Sequence, residues 1–539
     1  MTESVKMTAG EAAVATLAAH GIDLIFGIPG GHNLAIYDAL ARQNKIRHIL
    51  CRHEQGIGFI ADGYSRASGR IGVATIVSGP AVANIGAALG GATTDTSAVL
   101  TIASTVRSNL VGKNRGGIHD CGESLEVMRP LCRHVCRVNK VEETPHVIAD
   151  LIHKLRTGRP GAAYCEIPCD VLATEAMVEI PKPQPGERLQ PDMAKIKAAV
   201  QLLAAARRPL LWVGTGATVS GAGPEVDALA RKLGAIVVPS SLGRGILPGD
   251  HPHLVTADGA SLTEVNKVMA EADVVLAVGT MFKQEDTVDW AAQPGEKLIH
   301  IDIDPAELGR SYRPEIGILA DAKAALAAIL HALPAREPAD AAWLERGKSA
   351  EAARLDKRWR QGPTEMRALR VLRAAAPRDA VLAFDRCSLG YWAWRCMPAY
   401  EPRTFIYPLG YGGLGGALPQ AFGAKLACPE KTVISVIGDG GFQFTATELA
   451  VAVEEKIPVT IVVCNNKAYG AIRAKQDKDF GGRRLGCTLR NPDFQKFADA
   501  YGIRSVCADT VDAFGEALEH SFRAGDLNLI ELTVEIADP

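Results

Sequence analysis

Two strand-end motifs in the last third of this 539-residue chain place oxygen ligands and glycines where a metal ion and a phosphate could meet. The apolar run Thr432 to Ile437 reads as a buried strand and ends in Gly438-Asp439-Gly440-Gly441. A helix of about Phe444 to Glu455 follows, and then the strand Val459 to Cys464 ends in Asn465-Asn466. The 24 residues between Gly440 and Asn465 suit one crossover helix, which returns the chain to the same edge of a parallel sheet. The Asp439 carboxylate, the Asn466 side-chain carbonyl and a loop main-chain carbonyl would then converge as three hard oxygen ligands. Mg²⁺ takes such a set while keeping positions for phosphate oxygens and water. Gly440 and Gly441 leave room for backbone amides to approach a diphosphate. Each motif alone is an ordinary turn after a strand. Together, on successive strands, they imply a diphosphate cofactor.

The elements that must carry such residues alternate strand and helix along the whole chain. Thr8 and Glu11 form a capping box, the helix runs through Leu17, and Gly21 closes it before the strand Leu24 to Phe26. After the loop Gly27-Ile28-Pro29-Gly30-Gly31 come a helix, Leu34 to Leu40, and a strand, Ile46 to Leu50. Then His53-Glu54-Gln55 opens a helix to about Ser68. Glu54 thus sits where a strand end meets a helix, a place where a first-turn glutamate also favours the helix dipole. A middle unit has strands Leu210 to Val213, Ala235 to Val238, Val274 to Val278 and Leu298 to Ile303. Its turn Gly214-Thr215-Gly216 lacks the full dinucleotide fingerprint, yet keeps a dinucleotide-dependent oxidoreductase visible as an alternative. Pro-rich segments, Pro181 to Pro191 and Pro334 to Pro338, read as linkers. The expected fold is α/β, three doubly wound parallel-sheet domains, at 1–180, 192–333 and 342–539.

Composition narrows the partners. With 59 Lys and Arg against 61 Asp and Glu, and no long basic run, nucleic acid is not expected. From Ile71 to Val106 the only charge is Asp95, which imitates a membrane span, but the Gly, Ser, Thr and Asn content favours strand Val73 to Val77, helix Ala81 to Gly90 and strand Ala98 to Ala103. No membrane partner is expected, and no signal peptide is visible in Met1 to Ala9, so the expected compartment is the cytoplasm. The 12 cysteines are scattered, and buried thiols are the default reading. Cys132 with Cys136 and Cys165 with Cys169 lack structural zinc spacing.

Gly-Asp-Gly followed by Asn-Asn at this separation matches the thiamine diphosphate signature. The chain resembles the acetolactate synthase and pyruvate decarboxylase superfamily over almost its whole length. Phe26 to Gly31, Arg52-His53-Glu54-Gln55-Gly56 with Ala61-Asp62-Gly63-Tyr64, and Ser78-Gly79-Pro80 with Asn84 resemble family blocks. The resemblance implies a pyrimidine-binding, a central and a diphosphate-binding domain, in that order. It makes Glu54 the carboxylate that hydrogen-bonds the cofactor aminopyrimidine and promotes loss of the thiazolium C2 proton; the cofactor is then the electron sink for loss of CO₂. It places Pro80 and Asn84 beside the cofactor. It makes Asp439, Asn466 and the Ala468 carbonyl the Mg²⁺ ligands, with Gly438, Gly440, Gly441, Tyr469 and Gly470 around the diphosphate. Leu414 becomes the apolar residue over which the cofactor bends, where an isolated leucine would otherwise be read as core. A homodimer or homotetramer with the active site at the subunit interface is implied.

Departures narrow the reaction. Typical pyruvate decarboxylases carry a glutamate at Ile472 and an aspartate at Gly31. Acetolactate synthases carry a tryptophan at Lys475, a Phe-Gln pair within Ile118-His119-Asp120, and Gly-Met-His-Gly where this chain has Thr256-Ala257-Asp258-Gly259; bound FAD is therefore not expected. Gly27-Ile28-Pro29-Gly30 with His32, Arg52 to Gly56, and Tyr469 to Arg473 are more similar to guanidino-oxopentanoate decarboxylase-like and benzoylformate decarboxylase-like members. The expected reaction is non-oxidative decarboxylation of a 2-oxo acid to an aldehyde; the alternative is carboligation with a second carbonyl compound. His32 and His119 are the candidates for proton transfer or carboxylate binding, since imidazole exchanges protons near neutral pH. Arg473 is a further candidate for binding a carboxylate.

Overall fold

A computed structural model describes residues 4–259, 261–335, 337–339 and 341–537. One residue of the Pro334–Pro338 linker, Arg336, lies outside them. Three parallel sheets follow one another along the chain. The first has six strands in the spatial order Arg47–Leu50, Leu24–Gly27, Gly72–Ile76, Val99–Thr105, Ala162–Pro168, His134–Arg137. The second has five: Ile236–Pro239, Pro209–Val213, Val274–Val278, Lys297–Asp302, Ile316–Leu319. The third has six: Phe405–Ile406, Val381–Phe384, Val433–Gly438, Thr460–Cys464, Asn528–Leu532, Arg504–Ala508. All residues of the inner strands Gly72–Ile76, Val274–Val278 and Thr460–Cys464 are buried, as expected where helices cover both faces of a parallel sheet. The fold is three α/β units. An antiparallel ribbon of Val5–Thr8 with Glu175–Val178 is an addition that the sequence pattern does not announce.

Most expected elements are present within a residue or two, including the Thr8–Glu11 capping box and the helix Glu54–Ser68. The segment that imitates a membrane span forms the strand Gly72–Ile76, the helix Pro80–Thr94 and the strand Val99–Thr105. Among the described residues no helix is long and apolar enough to cross a membrane. Two expectations need correction. The helix expected from about Phe444 begins at Asp439, whose carboxylate suits a first turn, and a 3₁₀ turn at Ala446–Glu448 splits it before Leu449–Glu454. Cys121, in a loop, and Cys507, on the edge strand Arg504–Ala508, are exposed rather than buried thiols.

The first and third units pack directly. The helix Glu54–Ser68 lies against the helix Ala417–Ala427, and glycines let the two backbones touch. A Cβ on Gly63 would come within 2.5 Å of the Gln420 Cα, and one on Gly423 within 2.7 Å of the Tyr64 nitrogen. Asp95, the isolated charge of its segment, is the joint of all three units. It accepts from Arg66 at 3.2 Å, from Lys283 of the second unit at 2.5 Å, and from the Leu409 and Gly410 amides of the third. Those donors hold its carboxyl below the usual range despite full burial.

Candidate active site

The third sheet builds one half of the candidate site at its C-terminal strand ends. A cavity of about 220 Å³ there is lined by Leu414, Gly438, Asp439, Gly440, Gly441, Asn466, Ala468, Tyr469 and Gly470, with Arg386, Ser388 and Ile472 among the others. The strand Val433–Gly438 pairs in parallel with Thr460–Cys464, Gly438 opposite Cys464, so Asp439 and the Asn465-Asn466 turn emerge side by side. Asp439 is 2 % exposed, and its carboxylate accepts from amides rather than from any cationic side chain among the described residues. Burial pushes its carboxyl up, while the Asn491 amide at 2.7 Å and main-chain amides of Gly440, Lys467 and Ala468 pull it back. The Asn466 Oδ1 accepts from the Ala468 amide at 3.2 Å. The glycines are required sterically: a Cβ on Gly440 would lie 2.5 Å from the Tyr469 ring, and one on Gly441 2.6 Å from the Asp385 carboxylate. Leu414 is half-buried on the cavity wall rather than in the core.

The first unit builds the other half. Glu54 opens its helix behind the His53 cap, and its Oε2 accepts from the Asn84 amide at 2.9 Å. Asn84 is on the helix Pro80–Thr94, which starts at Pro80 after Gly79 with φ of +69°. His119, itself at φ of +61°, rests on that glycine: a Cβ on Gly79 would lie 2.8 Å from the His119 Cα. The His119 ring meets the His32 ring edge to face, with centroids 5.1 Å apart. Burial, and then the neighbouring His119, lower the His32 imidazole. The Nδ1 atoms of both rings are buried without a hydrogen-bond partner among the described residues.

Within one chain, none of Glu54, Pro80, Asn84, His32 and His119 lines the cavity that holds Asp439. Arg473 does not line it either; its helix, Gly470–Asp479, buries no residue. The Gly214-Thr215-Gly216 turn has a packing reason for its glycines, because a Cβ on Gly216 would lie 2.8 Å from the Gly279 Cα.

Three residues escape sequence reasoning. Asp385, after the strand Val381–Phe384, is 1 % exposed, accepts from the Gly415 amide at 2.7 Å, and is pushed up to about 6 by burial. Asn491 donates to both Asp439 and Asn465. Glu448, fully buried, accepts from the Arg52 amide at 3.2 Å and stands against Gly56, so a third-unit carboxylate holds the chain entering the Glu54 helix. Burial raises it to about 7. A charged residue after an apolar strand was the one signal for Asp385; for Asn491 and Glu448 there was none.

Three models of thiamine pyrophosphate enzyme domains match the chain: the N-terminal TPP binding domain over residues 7–126, the central domain over 196–329, and the C-terminal TPP binding domain over 385–532. The chain is 37 % identical to a probable 2-ketoarginine decarboxylase of Pseudomonas aeruginosa, across 98 % of this chain and 94 % of that protein. The chain belongs to the thiamine pyrophosphate enzymes. It is also 33 % identical to a probable acetolactate synthase large subunit of Methanocaldococcus jannaschii, over 99 % of this chain and 93 % of the other. With an acetolactate synthase large subunit of Escherichia coli, isozyme 3, it shares 31 % identity over 98 % and 95 %.

The residues present fit the cofactor of a thiamine pyrophosphate enzyme. Asp439 is a buried carboxylate with no cationic side chain beside it among the described residues, next to an amide oxygen and main-chain groups, a donor set that suits a hard divalent ion better than a soft one. The cavity glycines supply main-chain approach, and Leu414 supplies an apolar wall. Among the described residues no cluster of three His, Cys, Asp or Glu side chains offers another metal site.

Proposed function

We propose that this protein is a Mg²⁺- and thiamine diphosphate-dependent, non-oxidative decarboxylase that converts a 2-oxo acid larger than pyruvate to an aldehyde. Its units are 1–180, 192–333 and 342–539, and its compartment is the cytoplasm. Guanidino-oxopentanoate is the first substrate to try, because the Pseudomonas aeruginosa relative is named for 2-ketoarginine, the same compound. When bound, thiamine diphosphate supplies the electron sink for loss of CO₂. Asp439, Asn466 and the Ala468 carbonyl would hold Mg²⁺ against the diphosphate, and Gly438, Gly440, Gly441, Tyr469 and Gly470 would surround it. Leu414 would support the bend, while Pro80 and Asn84 would flank the pyrimidine.

The observation that carries the reading is the first-unit cluster: Glu54 is fixed by Asn84, and the His32–His119 pair rests through His119 on Gly79, just ahead of the Asn84 helix. A carboxylate anchored by one amide keeps its other oxygen for the aminopyrimidine. His32, with its imidazole lowered, is a stronger acid when protonated and so can deliver the proton that ends the reaction at an aldehyde. A Phe-Gln pair at Ile118 to Asp120 could not deliver a proton, since neither side chain titrates near neutral pH. Glu54 does not line the Asp439 cavity of its own chain, which supports a homodimer or homotetramer in which Glu54 of one subunit would meet Asp439 of another.

The test is product analysis. Purified protein with thiamine diphosphate and Mg²⁺ is given pyruvate, benzoylformate and 2-ketoarginine, and products are identified by mass spectrometry. Aldehyde and one CO₂ per substrate are expected. A 2-hydroxyketone or acetohydroxy acid as the main product would replace this reading with carboligation. Glu54→Gln is expected to lower turnover by about 10² to 10⁴, the usual worth of one acid–base group; unchanged turnover would remove Glu54 from the chemistry.

A further inference from the structure

The two turns that carry the candidate metal ligands are tied together by a side chain from outside both. Asn491 lies 52 positions beyond Asp439, and its Nδ2 donates to the Asp439 Oδ2 at 2.7 Å and to the Asn465 Oδ1 at 2.9 Å. Asn465 directly precedes Asn466, so one amide joins the turn that carries Asp439 to the turn that presents Asn466 and the Ala468 carbonyl.

The bonds around Asn491 fix both its place and its direction. A carboxylate can only accept, so the group facing Asp439 is the NH₂ end of the amide. Gln443, on the helix Asp439–Thr445, donates from Nε2 to the Asn491 Oδ1 at 3.0 Å and so occupies the opposite end. The segment leading to Asn491 is held along the metal turn, because the Tyr469 amide donates to the Cys487 carbonyl at 2.9 Å and the Leu489 amide to the Lys467 carbonyl at 2.8 Å. On the far side of the bridge, the Asn465 Nδ2 donates at 2.6 Å to Glu531 on the strand Asn528–Leu532, and the Asn465 Oδ1 also accepts from the Lys467 amide at 3.2 Å. With the Gly440 amide on the Asp439 Oδ1 at 2.9 Å, each oxygen of that carboxylate has a fixed donor and keeps a lone pair.

Such anchoring bears on which ion fits. A hydrogen bond to a ligating side chain removes its freedom to turn away, and losing the partner typically costs about 10- to 100-fold in metal affinity. Mg²⁺ demands near-ideal octahedral geometry, whereas Ca²⁺ accepts roughly six to eight oxygens in a flexible arrangement. A bridge that sets the spacing of two ligand-bearing turns therefore matters more to Mg²⁺ than to Ca²⁺.

We propose, on the reading that Asp439, Asn466 and the Ala468 carbonyl are the Mg²⁺ ligands, that Asn491 is a positioning residue for the metal. It holds Asp439 and the Asn465-Asn466 turn at the separation that Mg²⁺ requires.

The experiment measures thiamine diphosphate binding by calorimetry to the full-length protein freed of cofactor, across a range of Mg²⁺ and, separately, of Ca²⁺ concentrations. For Asn491→Ala, the Mg²⁺ concentration that gives half-maximal cofactor binding is expected to rise about 10- to 100-fold. The Ca²⁺ concentration should rise less than about three-fold. Asn491 is only half-buried, so the substitution opens no cavity in the core. Gln443→Ala, at an exposed position, keeps the bridge but frees its orientation, and should raise the Mg²⁺ requirement by about two-fold or more, the worth of one hydrogen bond. An equal loss with both metals would reduce Asn491 to general support of the loop and overturn the assignment, as would no change with either. Asp439→Ala separates that outcome from failure of the underlying reading. If it too leaves Mg²⁺-dependent binding unchanged, Asp439 is not a ligand; if it abolishes binding while Asn491→Ala does not alter it, only the positioning role falls.

Discussion

Glu448 offers the sharpest test of the packing between the first and third units. Its carboxyl is wholly buried, and burial raises it from the ordinary 4.5 to about 7, with the nearby Glu54 charge adding to the effect and the Arg52 and His53 amides opposing it. A group with a higher pKa in the folded state binds more protons folded than unfolded. Its favourable contribution is therefore complete below about pH 4.5 and disappears as pH rises through about 7. At about 1.4 kcal/mol per pH unit, that difference amounts to about 3 kcal/mol of stability lost across the window. Glu448→Gln cannot ionise, so it should lack this component: relative to wild type, its stability should rise by about 3 kcal/mol between pH 4.5 and pH 8. The assay is urea denaturation of both proteins without cofactor, at half-unit pH steps, followed by tryptophan fluorescence and compared as differences. Parallel pH profiles would refute the argument, because they would mean that Glu448 titrates alike in the folded and unfolded protein.

Asp439→Ala should abolish Mg²⁺-dependent retention of thiamine diphosphate, and unchanged cofactor affinity by calorimetry would exclude Asp439 from the metal site. Mixing inactive Glu54→Gln and Asp439→Ala chains after mild dissociation should restore about a quarter of wild-type activity if random pairing gives each mixed dimer one intact site. No recovery from verified mixed oligomers would place both halves of the site in one subunit. Asp95→Ala, by leaving Arg66 and Lys283 without the carboxylate that joins three units, should cost about 3 kcal/mol in denaturant unfolding. A loss below about 1 kcal/mol would show that the remaining donors find water instead.

Local chemistry was legible wherever the signal lay within a few residues. The Thr8–Glu11 box, the Glu54 helix start and the buried strands, including the one that ends at Gly438, could be read because capping and period act over one or two turns of chain. The helix after Gly438 was placed late, since two glycines are poor helix formers and only the tertiary setting holds them in its first turn. The resemblance to a family of thiamine diphosphate enzymes likewise rested on short blocks along the chain.

What only the tertiary structure decided is which distant residues share a boundary. Asn84 reaches Glu54 from 30 positions away, His32 meets His119, Asn491 reaches Asp439, and Glu448 grips the strand-to-helix turn before Glu54 from almost 400 positions along. Spacing along a chain fixes direction only within an element, whereas burial, desolvation and the absence of a partner depend on what the rest of the molecule brings to the same place.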